Sequence, residues 1–154
     1  MGMDGHMIEL VTGVDVGLKY HARATLKKTE GGYWRLHDAV LAKEIGPLEM
    51  ECDGLPFEWR LIIECATTRP RDGATKKKEV DALNRAAGRL GALHPCPVFL
   101  LPEQWKGQLP KKIDQERTLA ALSPEEKTLL PKKKAELLHV LDAVAIALKA
   151  VGRR

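Results

Sequence analysis

The sequence has no apolar run approaching the ~20 residues of a membrane span. Its longest stretch free of acidic and basic residues, Leu90–Pro102, contains three prolines. No membrane partner is expected. A secretory signal is also missing: the first ten residues carry Asp4 and Glu9 and no apolar stretch of about 7–15 residues. Cysteine is scarce. Cys52, Cys65 and Cys96 are odd in number and show no paired spacing, which argues against a zinc ribbon and points to a reducing, cytoplasmic setting. Internal repeats and a second composition regime are absent. One domain is expected over 9–151, with a flexible leader over 1–8 and a basic tail over 152–154.

At 154 residues the chain is the size of one domain and folds without a disulfide or metal staple. With 44% apolar and 30% charged residues it reads as globular. The formal net charge is +4, and the basic excess lies after Glu64. It arrives in clusters: Lys76-Lys77-Lys78, Lys111-Lys112, Lys132-Lys133-Lys134 and Arg153-Arg154. Any one cluster reads equally as a solvated helix start or tail. Four together point to a polyanion, and nucleic acid is the expected partner.

Periodicity sets the layout. Glu9–Val16 reads as a strand, and His21–Lys28 alternates Ala22, Ala24 and Leu26 against polar residues. The Glu30-Gly31-Gly32 turn returns the chain into a third strand, Tyr33–Lys43, giving an antiparallel meander. Glu44–Pro56 holds Gly46, Pro47, Gly54 and Pro56 and reads as a loop. Trp59–Cys65 and Pro97–Leu101 are short buried strands on either side of a helix over Thr75–Leu90. A short helix over Lys112–Leu122, a helix start at Ser123-Pro124, and a final helix from Pro131 to about Val151 complete the chain. The expected class is α/β, with a mixed sheet of five strands flanked by helices.

Three anomalies carry the chemistry. From Leu137 to Leu148 only His139 and Asp142 are polar. A buried carboxylate needs a partner or a metal, and residues three apart share a helix face. Asp15 sits among valines in the first strand, where propensity disfavours it, and Gly17 leaves room for a backbone or a phosphate to come close. Glu64 ends an apolar strand. If the first and fourth strands are neighbours and the last helix packs beside them, three carboxylates converge. Convergent carboxylates repel one another and favour hard divalent cations, Mg²⁺ or Mn²⁺. Two such ions about 3.5–4 Å apart promote phosphodiester cleavage.

This ordered set resembles the RuvC-like Holliday junction resolvases of the RNase H-like superfamily, above all the short phage and viral type. The residues that carry the resemblance are Val14-Asp15-Val16-Gly17, Leu61-Ile62-Ile63-Glu64, the Pro102–Lys106 loop with its Trp, and His139-Val140-Leu141-Asp142-Ala143. It implies an RNase H-like fold and a homodimeric endonuclease that resolves four-way junctions in DNA. It also implies two Mg²⁺ (or Mn²⁺) ions per site. Asp15, Glu64 and Asp142 would hold metal, and His139 would complete or flank the site. A partner surface is expected on the helix Thr75–Leu90 and its neighbours. A phage source would place the protein in the host cytoplasm. One departure is the short Glu44–Pro56 stretch, where the family usually carries a helix.

Around that centre Lys19, Arg69, Arg71, Lys76, Lys77, Lys78, Lys106, Lys111, Lys112, Lys132, Lys133 and Lys134 are candidate phosphate contacts. Trp105 is a candidate for base stacking or core packing. His21, His37 and His94 read as surface or satisfied groups, Trp34 and Trp59 as packing residues, and Cys65 as a small filler. Two variants stay open: a flap- or fork-selective nuclease, and a DNA-binding module without catalysis. An actin-like nucleotide-binding protein opens with a similar strand, but the chain has no room for its duplicated second domain.

Overall fold

The computed structural model describes residues 7–42, 57–66, 71–92, 97–102 and 109–154. The elements run β1 (Ile8–Asp15), β2 (His21–Lys28), β3 (Trp34–Ala42), β4 (Phe57–Glu64), α1 (Ala74–Gly91), β5 (Val98–Leu100), α2 (Lys111–Ala120), α3 (Pro124–Lys127) and α4 (Lys134–Ala150). The strands form one sheet in the order β3-β2-β1-β4-β5. β1, β2 and β3 pair antiparallel, as the Gly-rich turn between β2 and β3 dictates. β4 pairs parallel with β1 and with β5. This is the mixed, helix-flanked sheet of five strands expected from the sequence.

Alternation along the strands decides what lies on each face. On one face Ala22, Ala24, Leu26, Leu36 and Ala39 pack against Val140, Ala143, Val144, Ala147 and Leu148 of α4. Val11 and Ile62 meet Ala145 and Ile146 there. On the other face Val14, Leu61 and Ile63 pack against Ala87 and Leu90 of α1. That second face also carries a polar ladder. The Thr12 and Thr25 hydroxyls lie 2.9 Å apart, and Trp59 Nε1 donates to Thr12 Oγ1 at 2.9 Å.

The apolar run of α4 follows from its position: Val140 to Leu148 are all buried. Gly13 lets the helix come this close to β1. An ideal Cβ at Gly13 would sit 2.5 Å from the Ala143 carbonyl oxygen and 2.8 Å from the Ala147 nitrogen. No helix among the described residues is long and apolar enough to cross a membrane.

The helix start expected at Ser123 is present. Ser123 Oγ accepts from Glu126 N while Glu126 Oε1 accepts from Ser123 N, a reciprocal capping box. It opens only the single turn of α3, because Pro131 lacks the N–H that a continuing helix needs. Glu126 then does more than cap. Its Oε2 accepts from Leu36 N at 2.6 Å on the edge strand β3, and the Arg153 guanidinium grips both carboxylate oxygens at 2.7 and 3.0 Å. Arg153 also donates to the Trp34 and Ala121 carbonyls. Arg154 pairs with buried Asp114, which Lys149 also reaches at 3.4 Å. The Arg153-Arg154 pair, expected in a basic tail over 152–154, is thus ion-paired to the domain. Glu44–Pro56 lies outside the described residues, as do Arg69, Trp105 and Lys106.

Candidate nuclease site

Asp15 and Glu64 are the last residues of β1 and β4, and they are register partners across the parallel pair. Asp15 follows Gly13 by two residues, and Glu64 follows Ile62 by two. Both therefore lie on the sheet face that α4 covers. The helix runs antiparallel to β1: Ala145 and Ile146 pack on Val11, and the Ala143 carbonyl lies over Gly13. The next residues toward the helix start, Asp142 and then His139, head toward the end of β1 where Asp15 stands. The fold thus brings Asp15, Glu64, His139 and Asp142 to one end of one sheet face.

Their environments differ. Asp15 and Glu64 are half-buried and His139 is exposed. Asp142 is 7% exposed, and both of its oxygens are engaged. Lys111 Nζ lies 3.4 Å from Oδ2, and Gln115 Nε2 lies 3.5 Å from Oδ1. Gln115 also donates to the Leu138 carbonyl at 3.1 Å. Among the described residues no three His, Cys, Asp or Glu side chains close around a common point as a metal cage. The oxygen donors suit a hard divalent cation, but an ammonium group stands beside one of them.

The lysine clusters gather at the same end. Asn84 of α1 holds Ala66, just past β4, through hydrogen bonds of 3.0 and 3.1 Å. Ala87 and Leu90 cover the strand before it. Lys76–Lys78, six to eight residues earlier, therefore reach roughly 9–12 Å farther past the sheet at 1.5 Å per residue. Lys132–Lys134 lead into α4, with Lys134 about 12 Å along the axis from Asp142. Lys111 and Lys112 open α2 beside Asp142, and Lys19 is exposed in the turn after β1. Three helices thus carry lysines at their N-termini, where the macrodipole disfavours positive charge. The first turn of α1 holds no acid at all. Such an arrangement sacrifices local stability and creates a strongly positive rim around the acids.

No family model matches the sequence, and no curated protein matches it. Solved structures do. RuvC of Thermus thermophilus in complex with a Holliday junction substrate aligns over 95% of this chain and 93% of its own, with a TM-score of 0.56 and 18% identity. The fold is RuvC-like. A second Thermus thermophilus RuvC structure aligns over 92% of this chain and 93% of its own, at TM-score 0.50 and 19% identity. The yeast mitochondrial Holliday junction resolvase Ydc2 aligns over 90% of this chain and 76% of its own, at TM-score 0.52 and 14% identity.

Within the RuvC-like sheet several sequence expectations take a different physical form. Of the two close approaches expected at Gly17, the one made is by backbone: the Tyr20 carbonyl fills the space where a side chain would be. The same turn is closed by Gly17 N donating to His21 Nδ1 at 3.3 Å. Burial, and then the charge of Arg89, lower the His21 pKa and favour the neutral ring that accepts this bond. Cys65 is a poor nucleophile, since burial and the neighbouring Glu64 charge both raise its thiol pKa. Lys111, expected only as a phosphate contact, is ion-paired with Asp142. Gln115 is a site residue that sequence reasoning misses. Its signal is the i, i+4 spacing from Lys111 on an otherwise polar helix, which gains meaning only once α2 lies against α4. Arg71, Lys76–Lys78, Lys112 and Lys132–Lys134 are exposed. A groove lined by Met7, Glu9, Lys28, Arg35 and Leu129 opens at the opposite end of the sheet and has no part in the acid group.

Proposed function

We propose that this protein is a divalent-metal-dependent endonuclease that cleaves branched DNA. Its preferred substrate is a four-way junction, resolved by a homodimer through paired phosphodiester hydrolysis. The observation that carries this reading is the placement of three carboxylates and three lysine-bearing helix N-termini at one end of a RuvC-like sheet. Acids alone repel a phosphate, and lysines alone bind it without cutting it. A junction needs both, with the acids in the middle.

In this reading Asp15, Glu64 and Asp142 hold two Mg²⁺ or Mn²⁺ ions, and His139 flanks them. The ions, when bound, supply a nucleophile at neutral pH and charge stabilisation at the leaving oxygen. The protein's own contribution is position. β1 and β4 fix Asp15 and Glu64 side by side, and Gln115 orients Asp142. Lys19, Arg71, Lys76–Lys78, Lys112 and Lys132–Lys134 draw the phosphate backbone across the acids. The exposed side of α1 is the proposed dimer face.

One observation favours a second reading, a branched-DNA-binding module without catalysis: the acids do not close into a metal cage as they stand. An end-labelled four-way junction, incubated with and without Mg²⁺ beside an Asp142→Asn variant, separates the two. The nuclease reading expects symmetric nicks that need both the ion and Asp142. Junction binding without any cut, in Mg²⁺ and Mn²⁺ alike, leaves the binding module.

A further inference from the structure

We propose that Lys111 is a displaceable occupant of the cation position at Asp142, so that its ammonium group and an entering divalent ion compete for the same carboxylate. The inference rests on the nuclease reading of the acid group and extends it to how that group is held before an ion arrives.

The two donors on Asp142 are not equivalent. Gln115 is nearly buried, and its amide is anchored by the 3.1 Å bond to the Leu138 carbonyl while lying 3.5 Å from Asp142 Oδ1. It cannot leave without stranding a buried polar group, which is costly. Lys111 is different. Its side chain is 60% exposed, while that of Asp142 is 9% exposed. Pairs with one exposed, flexible partner contribute little, and the released ammonium passes directly into water. Asp142 gains from the arrangement because a nearly buried carboxylate without a cation is unfavourable. Lys111 thus supplies a provisional positive charge, and Gln115 keeps the carboxylate aimed while that charge is exchanged.

The test is Mn²⁺ binding without DNA, read from loss of the free-ion signal in electron paramagnetic resonance. It compares wild type, Lys111→Met, Lys111→Arg and Asp142→Asn, each checked for an unchanged unfolding midpoint. Removing a competing unit charge should tighten Mn²⁺ binding about fivefold in Lys111→Met. Lys111→Arg, which keeps the charge, should stay near wild type, and Asp142→Asn should weaken binding sharply. Equal affinity in wild type and Lys111→Met, with Asp142→Asn still weakened, overturns the competition and leaves the site reading intact. No specific Mn²⁺ binding in any of the four proteins overturns both.

Discussion

Asp15 and Glu64 stand side by side as register partners at the ends of β1 and β4, although 48 residues separate them in the chain. Both are half-buried on the face that α4 covers, so neither is an ordinary solvated strand end. Exchange of Asp15 for Asn, or of Glu64 for Gln, keeps the shape and removes a charge. If these residues bind metal ions, each variant should lose about 10³-fold in junction cleavage, matching several kcal/mol of lost transition-state stabilisation. Junction affinity, read by gel shift in Ca²⁺ or without metal, should hold or improve as repulsion with the phosphates falls.

Gly13 sets the distance between β1 and α4. Any side chain there meets the Ala143 carbonyl and the Ala147 nitrogen, both rigid backbone. Gly13→Ala should destabilise the domain by about 1–3 kcal/mol through overpacking, measured by urea unfolding. It should also cut cleavage by more than the lost folded fraction explains, because the displaced helix carries Asp142.

The clasp of α3, β3 and the chain end predicts an acid sensitivity. Burial pushes the Glu126 carboxyl up, but the Arg153 hydrogen bonds, the Ser123 and Leu36 backbone N–H groups and the Arg153 charge outweigh it and hold it at about 2. The group therefore binds its proton more readily in the unfolded chain, whose value is near 4.5. Its stabilising contribution is complete above pH 4.5 and is lost as pH falls toward 2. A drop of this size corresponds to about 3 kcal/mol. Arg153→Ala should cost about 3–5 kcal/mol at neutral pH, since it leaves a buried carboxylate with two backbone N–H donors and no cation. Urea unfolding of both proteins at pH 7 and pH 3 measures this, and the gap between them should narrow at the lower pH.

Lys76, Lys77 and Lys78 project past the sheet on α1. Replacing all three by Ala should weaken junction binding. The slope of log affinity against log salt should fall by about one for each phosphate that these lysines neutralise. Chain stability should hold or rise slightly, because three cations leave a helix N-terminus. An unchanged salt slope would remove α1 from the proposed interface.

β2 was legible through the period-two signature of Ala22, Ala24 and Leu26, and β4 and β5 through short apolar runs, although Val98 and Phe99 of β5 are exposed rather than buried. The last helix was legible through an apolar run broken only by His139 and Asp142. Asp15, Glu64 and Asp142 stood out as charges in apolar surroundings, and the fold places them at one end of one face. What could not be read was who answers each charge. Lys111 and Lys112 are neighbours of the same type, yet only Lys111 has an ion pair with Asp142. Arg153 and Arg154 resemble a solvated tail in sequence, yet they satisfy Glu126 and Asp114. Such partnerships depend on tertiary placement, and no local pattern encodes them.

The parallel pairing of β1 with β4 has a further consequence for how an intact molecule is told from a misassembled one. A slip of β4 by a single residue would send Glu64 to the α1 side and bring Ile63 opposite Asp15. The sheet would keep its hydrogen bonds and much of its apolar burial, so circular dichroism would barely register the error. The acid group would be lost completely. If these acids hold ions as proposed, ion binding would count correctly registered molecules, and its stoichiometry would measure the quality of a preparation more sharply than its secondary-structure content.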